Sequence, residues 1–331
     1  MVDLSFILPV YNAENYLGNC INSILAAYEQ TVNFNIEINI IDDGSTDGSI
    51  MVANEFKKKL KFITIYNQEN QGVYVARNKG LAVSKGKYIW FVDADDTITI
   101  HSLKLIESRI KTSLTEIIHF PYVQENSKNN FKTYHLNSNF KEGELINGLL
   151  FLKYNDGRLY LWTNIYKREF LIQNSLAFLG KIRSLEDSLF NIKAFYIAKK
   201  VEFINDSLYE YRMNSSSISR NHSVKKLEVL RQSSNFVHKQ LLNFSENIIE
   251  DENAYTIISE KLSHSVLGFF YSLLVQKYER DTIVKALKDY KELGLYPVKS
   301  NENSVKGKAF QWLLNKPKLY LVTCKLFKAI D

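Results

Sequence analysis

The chain has 331 residues, of which 45% are hydrophobic and 24% charged, so it is long and apolar enough to bury at least one large core. Its 42 basic and 36 acidic side chains leave a net charge of +6, a mild excess compatible with a nucleic acid, an acidic membrane or no charged partner. The two cysteines, Cys20 and Cys324, lack metal-ligand spacing and predict neither a disulfide framework nor a zinc module.

The beginning of the chain, Met1 to Asp3, leads directly into an apolar run and lacks the features of a signal peptide. No window holds the ~20 consecutive apolar residues that a membrane-spanning helix needs. We therefore expect a cytoplasmic protein, and any membrane attachment should be to the inner face.

The first hundred residues predict alternating strands and helices. Apolar, β-branched runs occur at Leu4 to Val10, Ile36 to Ile41, Phe62 to Tyr66 and Tyr88 to Val92, each followed by a polar turn and a segment of helical spacing. The second run is apolar on both faces, which is typical of a parallel sheet covered by helices on each side. In such a sheet, ligands gather at the carboxyl ends of the strands.

Residues 100 to 220 predict a mixed elaboration of the same domain. We expect a helix after Thr99, strands near Ile117 to Val123 and Phe131 to His135, and helical segments around Gly143 and Leu185.

The remaining residues read as helical. Between residues 222 and 294, apolar side chains at helical spacing predict long amphipathic helices that end before Pro297; examples are Leu262, Val266, Phe269 and Leu273. The resulting domain boundaries are 1–220 for an α/β domain, 221–298 for a helical region and 299–331 for a basic amphipathic tail.

Polar clusters follow each of the four early strands. They are Pro9 to Asn12, Asp42 to Gly48, Asn70 to Gly72 with the nearby Arg77 and Asn78, and Asp93 to Asp96. The carboxyl ends of parallel strands meet at one edge, so these clusters should form one site. The site would offer a planar aromatic ring, carboxylates to accept hydrogen bonds from a ribose or a base, and an arginine for a phosphate.

Asp93 and Asp95 are the candidate metal ligands. A hard divalent cation prefers oxygen ligands and commonly bridges a nucleotide diphosphate to one or two carboxylates. The alternative for this pair is a solvated turn that caps a helix.

Four motifs resemble the family 2 glycosyltransferases with the GT-A fold. They are SFILPVYNAENYLGNCINSIL from Ser5, IIDDGSTDGS from Ile40, NQGVYVARNKGL from Asn70 and YIWFVDADD from Tyr88. A weaker resemblance continues through WTNIYKREFL from Trp162, LEDSLF from Leu185 and YEYRMNSSSIS from Tyr209. The resemblance implies an α/β protein with a Rossmann-like, mostly parallel central sheet flanked by helices, followed here by a helical C-terminal region.

The resemblance also implies roles for the strand-end residues. Those that would contact the nucleotide sugar are Pro9, Val10, Tyr11, Asp42, Asn70, Gly72, Arg77, Asp93 and Ala94. Within this group Asp42 would accept from a uracil ring and Arg77 would lie near the base or the phosphates. Asp95, together with Asp93, would bind a divalent cation, Mn²⁺ or Mg²⁺.

Asp187 matches the catalytic base of the family, and the adjacent Glu186 could exchange roles with it. An inverting transfer needs a base on the acceptor side and a cation beside the departing nucleoside diphosphate. The alternative for both carboxylates is favourable charge at a helix N-terminus.

Tyr211, Arg212 and Ser217 correspond loosely to a loop near the diphosphate or acceptor. Trp162 could stack on an acceptor sugar or pack in the core.

The predicted function is thus metal-dependent, inverting transfer from a UDP-sugar to a hydroxyl of a glycan or lipid-linked oligosaccharide, in bacterial surface polysaccharide synthesis. One alternative is an inactive glycan-binding or scaffold protein on the same fold, which intact Asp93, Asp95 and Asp187 disfavour. Another is a sugar nucleotidyltransferase, which the lack of a glycine-rich phosphate loop after the first strand disfavours.

The basic excess lies in the tail. Residues 299–331 hold seven lysines and two acidic residues, a net charge of +5, whereas the rest of the chain holds 35 basic and 34 acidic side chains, a net charge of +1. The nearly neutral body argues against nucleic-acid binding. Residues 306–330 predict two amphipathic helices broken at Pro317. They could lie in an anionic membrane interface or pack on protein with their lysines in water.

Overall fold

The computed structural model describes residues 1–112, 114–125, 131–134, 140–155, 159–180, 185–212, 224–301 and 304–329. The chain divides into two compact units, residues 1–217 and 218–331. The first is an α/β unit and the second is helical.

The first unit contains the predicted alternation of strands and helices. Its strands are β1 (Leu4–Val10), β2 (Ile36–Asp42), β3 (Ile63–Asn67), β4 (Tyr88–Phe91), β5 (Thr97–Ile98), β6 (Ile117–His119), β7 (Tyr122–Glu125), β8 (Phe131–Tyr134), β9 (Leu145–Ile146), β10 (Asn164–Lys167), β11 (Val201–Phe203) and β12 (Tyr209–Tyr211). Its helices are α1 (Glu14–Tyr28), α2 (Ser49–Lys59), α3 (Val73–Val83), α4 (Ser102–Thr112), α5 (Gly148–Tyr154), α6 (Arg168–Gln173) and α7 (Glu186–Ile197).

The main sheet has the strand order β3-β2-β1-β4-β10-β6-β11-β9. The strands β3, β2, β1 and β4 are parallel, as the sequence predicts, and β10 runs antiparallel to β4. Val10 pairs with Asp42, and Asp42 pairs with Asn67. This register brings the ends of the first three strands, and the loops that follow them, to one edge of the sheet.

Close packing of α3 against β1 sets the position of the helix that carries Arg77. A Cβ atom added at Gly80 would lie 2.2 Å from Cγ2 of Ile7, so only glycine allows this approach. On the other side of the sheet, α1 buries Leu17, Ile21 and Ile24 at helical spacing.

Two predicted boundaries in the mixed region are wrong. The apolar run from Ile117 to Val123 forms two strands in different sheets, β6 in the main sheet and β7 in the small sheet β5-β12-β7-β8. Pro121 lies between them, where its missing backbone N–H would interrupt a continuous strand. Gly143 lies in a turn with φ +74° rather than in a helix. The helix begins at Gly148. It is capped by Asn147, whose Oδ1 accepts a hydrogen bond from the Leu150 backbone N–H at 2.7 Å.

The second unit is built from α8 (Val224–Asn247), α9 (Glu252–Val275), α10 (Arg280–Glu292), α11 (Val305–Leu314) and α12 (Pro317–Ala329). The four apolar residues that predicted a helix after 222 are buried on α9. Pro317 begins α12, since the first turn of a helix does not use the N–H that proline lacks. Within the described residues no helix has the length and hydrophobicity needed to cross a membrane.

Candidate active site

The loops after β1 and β2 are joined by hydrogen bonds. Oδ1 of Asn12 accepts from the Thr46 backbone N–H at 2.8 Å, and the Gly48 N–H donates to Oε2 of Glu14 at 2.9 Å. The Ala13 N–H donates to Oγ of Ser49 at 2.8 Å. The turn residues of the second motif thus fix the shape of the first loop.

Asp43 organises the loop after β3. Its Oδ1 accepts from Nε2 of Gln68 and from the Gln71 N–H, both at 2.8 Å, and its Oδ2 accepts from the Gly72 N–H at 2.8 Å. Gly72 has φ +97°, a conformation that glycine adopts most easily. Asp43 thus holds this loop in place, although it is not among the predicted site residues. The sequence signal for it was the pair of adjacent aspartates, Asp42 and Asp43, at the end of β2.

Asp42 is also buried, and its Oδ1 accepts from the Ser45 N–H at 3.1 Å. Among the residues predicted to line the base pocket, Tyr11 is 51% exposed and so offers an open ring face. Val10 is fully buried in the hydrophobic core, so its side chain does not line an open pocket. The predicted contact of Val10 with a nucleotide stays a prediction.

The loop after β4 is held by Asp96. Its Oδ2 accepts from the Tyr209 hydroxyl at 2.7 Å and its Oδ1 accepts from the Arg212 N–H at 2.9 Å. The Asp93 N–H donates to the same Tyr209 hydroxyl at 3.2 Å. Burial and the nearby Asp95 raise the pKa of Asp96. Asp96 is part of the fourth motif, but its partners Tyr209 and Arg212 lie more than a hundred residues away in sequence. Its structural role could therefore not be predicted from the motif.

Arg77 lies at the centre of a buried ion-pair cluster. Its guanidinium donates to Oδ1 of Asp93 at 3.0 Å, to Oε1 of Glu186 at 2.9 Å and to Oδ1 of Asp187 at 3.4 Å. The Arg77 side chain is 4% exposed. Three predicted site residues, one from the loop after β4 and two from α7, therefore contact the guanidinium of Arg77, which is itself a predicted site residue. The structure shows Arg77 bound to carboxylates.

The charges in this cluster are not balanced, because one guanidinium faces three carboxyl groups. Burial lowers the pKa of Arg77, but Asp93, Asp187 and Glu186 together raise it above its ordinary value. Burial and the adjacent Asp187 raise the pKa of Glu186 to about 8. Burial also raises the pKa of Asp93, and Arg77 offsets part of that effect. Burial and the adjacent Asp187 thus favour the protonated form of Glu186.

Glu186 and Asp187 are presented by a strained turn. The preceding residue, Leu185, has φ +68°, which is uncommon for a residue with a branched side chain. Both carboxylates occupy the first turn of α7, where the helix dipole stabilises negative charge. The Asp187 side chain is 23% exposed and that of Glu186 is 8% exposed, so Asp187 is the more accessible.

The segment before α7 is attached to α3. Nδ2 of Asn78 donates to the Phe178 carbonyl and Oδ1 of Asn78 accepts from the Phe178 N–H, both at 2.9 Å. The Phe178 ring centroid lies 5.6 Å from the guanidinium carbon of Arg77. This aromatic neighbour was not predicted.

Trp162 is buried, which favours the core alternative. It is 4% exposed and stacks with Tyr160, Tyr209 and Tyr211 at centroid distances of 4.7, 4.5 and 5.7 Å. A sugar therefore has no exposed indole face on which to stack. Tyr211 and Arg212 are partly exposed at the end of β12, whereas Ser217 lies outside the described residues.

Asp93 and Asp95 are the residues that could hold a cation. The part of the chain that the structure describes contains no group of three or more His, Cys, Asp or Glu side chains suited to a metal ion. Asp95 raises the pKa of both Asp93 and Asp96, so a cation beside these carboxylates would relieve their repulsion. Two carboxylates completed by substrate phosphates are a common arrangement for Mg²⁺. The residues therefore fit a cation shared with a bound diphosphate.

The chain resembles bacterial glycosyltransferases. It is 31% identical over 219 residues to the uncharacterised glycosyltransferase EpsJ of Bacillus subtilis, covering 65% of this chain and 62% of EpsJ. It is 30% identical over 299 residues to the glycosyltransferase GlyG of Streptococcus pneumoniae, covering 87% of this chain and 88% of GlyG. The matched part is thus less than two thirds of the length of EpsJ.

A solved structure has the same fold. Residues 1–349 of TarS from Staphylococcus aureus, in complex with UDP-GlcNAc, superimpose with a TM-score of 0.72 at 21% identity, covering 99% of this chain and 91% of that one. The predicted GT-A fold is thereby confirmed. The family model described as glycosyl transferase family 2 matches residues 5–175, which contain the loops after β1 to β4. With that match and the similarity to GlyG over most of both chains, this chain belongs to glycosyl transferase family 2.

Proposed function

We propose that this chain is an inverting, metal-dependent glycosyltransferase that moves a sugar from a UDP-sugar to a hydroxyl of a glycan or lipid-linked oligosaccharide in bacterial surface polysaccharide synthesis. The observation that carries the proposal is one cluster of charged side chains. In it, the Arg77 guanidinium pairs both with Asp93, one of the two candidate metal ligands, and with Asp187. In this proposal the cluster would hold the base close to the carboxylate that contacts the donor.

Donor binding is assigned to the loops at the edge of the sheet. The exposed Tyr11 ring would stack on the base, and Asp42 would accept from it. Asn70 and Gly72 lie in the loop that Asp43 holds. The choice of a UDP-sugar is supported by the TarS complex with UDP-GlcNAc, whose fold this chain shares.

A divalent cation, Mn²⁺ or Mg²⁺, is assigned to Asp95 and Asp93. When bound, it would neutralise the negative charge that develops on the departing diphosphate. Asp93 has a second contact, the Arg77 ion pair at 3.0 Å, so Arg77 fixes the orientation of this carboxylate. Tyr211 and Arg212 are proposed to contact the diphosphate or the acceptor, since the Arg212 N–H is fixed to the same loop by Asp96.

Asp187 is assigned as the base. Its carboxylate would take the proton of the acceptor hydroxyl while the acceptor oxygen bonds to the anomeric carbon of the donor. The bond from that carbon to the diphosphate oxygen breaks, UDP leaves with the electron pair, and attack from the opposite face inverts the configuration. The greater exposure of Asp187 supports this choice over Glu186. The raised pKa of Glu186 also supports it, because a protonated carboxyl group cannot accept a proton.

The donor class and the metal dependence can be tested together. We expect UDP release from one or more UDP-sugars, stimulated by Mn²⁺ or Mg²⁺, and little release from GDP- or ADP-sugars. Asp95→Asn should remove the metal stimulation, lowering the rate by about 100-fold or more. The matched control is Asp206→Asn, which changes an exposed aspartate of the same unit and should behave as wild type. Turnover that is unchanged by a chelator would contradict the metal assignment, and exclusive use of a non-uridine donor would contradict the donor class.

A further inference from the structure

The helices α11 and α12 pack with one face against the rest of the second unit. The Tyr320 hydroxyl donates to the Phe270 carbonyl at 2.6 Å, and the Tyr296 hydroxyl donates to the Leu314 carbonyl at 2.9 Å. Leu314 and Tyr320 are completely buried. These contacts fix the orientation of both helices and determine which side chains face away from the unit.

The outward face of α12 carries an aligned apolar strip. Leu319, Val322 and Leu326 occur at positions i, i+3 and i+7 and are exposed by 42, 54 and 59%. On α11, Val305 and Trp312 are likewise exposed and one i, i+7 step apart. Single exposed apolar residues are ordinary on protein surfaces, but an aligned row of them marks an interaction surface. We call Leu319, Val322 and Leu326 the α12 strip.

Lysines flank the strip without any acidic neighbour on the same helices. On α12, Lys318 and Lys325 are exposed and lie next to the strip on the helix surface. Three more exposed lysines, Lys306, Lys308 and Lys316, belong to α11 or to the turn before α12. Residues 304–329 contain no aspartate or glutamate. The surface therefore combines apolar side chains with charge of one sign.

We propose that the outward face of α11 and α12 binds the surface of an anionic lipid bilayer. An amphipathic helix with leucine and tryptophan beside lysines lies in the interface, with its apolar side chains among the acyl chains and its lysines at the phosphates. A second copy of this chain fits less well, because a two-fold contact would bring lysines of the same sign together. Binding of this kind does not depend on the proposed transfer.

The test uses the full chain and vesicles, without turnover. Wild type should sediment with vesicles of phosphatidylglycerol and phosphatidylcholine, bind phosphatidylcholine vesicles far less, and lose binding as salt is added. Val322→Gln with Leu326→Gln should lower the partition coefficient by about tenfold or more. Lys318→Glu with Lys325→Glu should lower it by about 30-fold. All four side chains are exposed, so both double variants should fold, which circular dichroism would verify.

Controls on α10 separate this surface from unspecific effects. Val284→Gln removes an exposed valine, and Lys288→Glu with Lys291→Glu reverses two exposed lysines of that helix; both should leave vesicle binding unchanged. Equally poor sedimentation of wild type and the α12 variants would overturn the proposal. So would a wild-type dimer that dissociates in the Val322→Gln and Leu326→Gln variant while vesicle binding is absent, because the strip would then be a protein interface. Either result would leave donor turnover as an independent question.

Discussion

Glu186 and Asp187 follow each other in the first turn of α7, but their carboxyl groups lie in different surroundings. Glu186 is 2.9 Å from the Arg77 guanidinium and almost completely buried, while its Oε2 has no hydrogen-bond partner among the described residues. Asp187 is 3.4 Å from the guanidinium and more exposed. In the proposed transfer, Glu186 is therefore a positioning residue whose protonated form is favoured. Asp187 would be the carboxylate that contacts the acceptor.

The raised pKa of Glu186 predicts that the stability of the protein depends on pH. Its pKa is raised from an ordinary 4.5 to about 8 by burial and by Asp187. Between these values the folded protein binds more protons than the unfolded chain, so this contribution to stability is complete below pH 4.5 and is lost as the pH rises towards 8. We expect the loss to be on the order of a few kcal/mol. Glu186→Gln, which cannot ionise, should remove it.

Hydrogen exchange of the buried amides in β1 and β4 would measure this effect. The wild type should lose protection relative to Glu186→Gln as the pH rises from 5 to 8, after correction for intrinsic exchange rates. Glu252→Gln, an exposed glutamate in the first turn of α9, is the matched control and should follow the wild type. Parallel pH profiles of wild type and Glu186→Gln would show that Glu186 ionises with its ordinary pKa.

At the scale of elements, Arg77 connects three pieces of the first unit that are far apart in sequence. It belongs to α3, and its partners lie just after β4 and in the first turn of α7. A guanidinium can donate to several carboxylates in fixed directions, whereas an ammonium cannot reproduce that geometry. The position of Asp187 relative to Asp93 therefore depends on an arginine at this point.

Arg77→Lys should keep the charge but lose this geometry. We expect a loss of about 1 to 3 kcal/mol in the free energy of unfolding and a fall of about 100-fold in the transfer rate at saturating donor. The matched control is Arg109→Lys, since Arg109 pairs with Glu202 and Glu142 at 2.8 and 2.6 Å, away from the carboxylate cluster. It should lose stability without the specific fall in rate. Wild-type transfer by Arg77→Lys would rule out the positioning role.

Local patterns were enough to predict the elements that carry the site. Runs such as Leu4 to Val10 are apolar in nearly every position, because parallel strands are buried on both faces, and β1 has those bounds. Helical spacing likewise located α9. The prediction of one strand from Ile117 to Val123 was wrong, because Pro121 separates two strands that belong to different sheets.

The interior of the site could not be predicted in the same way. The ion pair between Arg77 and Glu186 spans 109 positions, and the bond from Tyr209 to Asp96 spans 113. Nothing in the local pattern of Arg77 distinguishes an arginine that binds phosphate from one that binds carboxylates. Trp162 illustrates the same limit, since its tyrosine partners come from segments that meet only in the folded unit.

For the whole molecule, charge and chemistry are divided between the two units. Five of the six net positive charges come from residues 299–331, which belong to the second unit. The carboxylates proposed for transfer belong to the first. Mutations can therefore separate the functions: α12 variants should change vesicle binding, and variants of the carboxylate cluster should change transfer.

Asp187 is proposed to be the base of the glycosyl transfer. The most direct measurement compares donor affinity and transfer rate of Asp187→Asn with those of wild type, using the nucleotide sugar that wild type turns over. We predict donor affinity within about twofold of wild type, because Asp187 would act on the acceptor, and a transfer rate lower by about 100- to 10,000-fold. Full transfer activity in Asp187→Asn would contradict it.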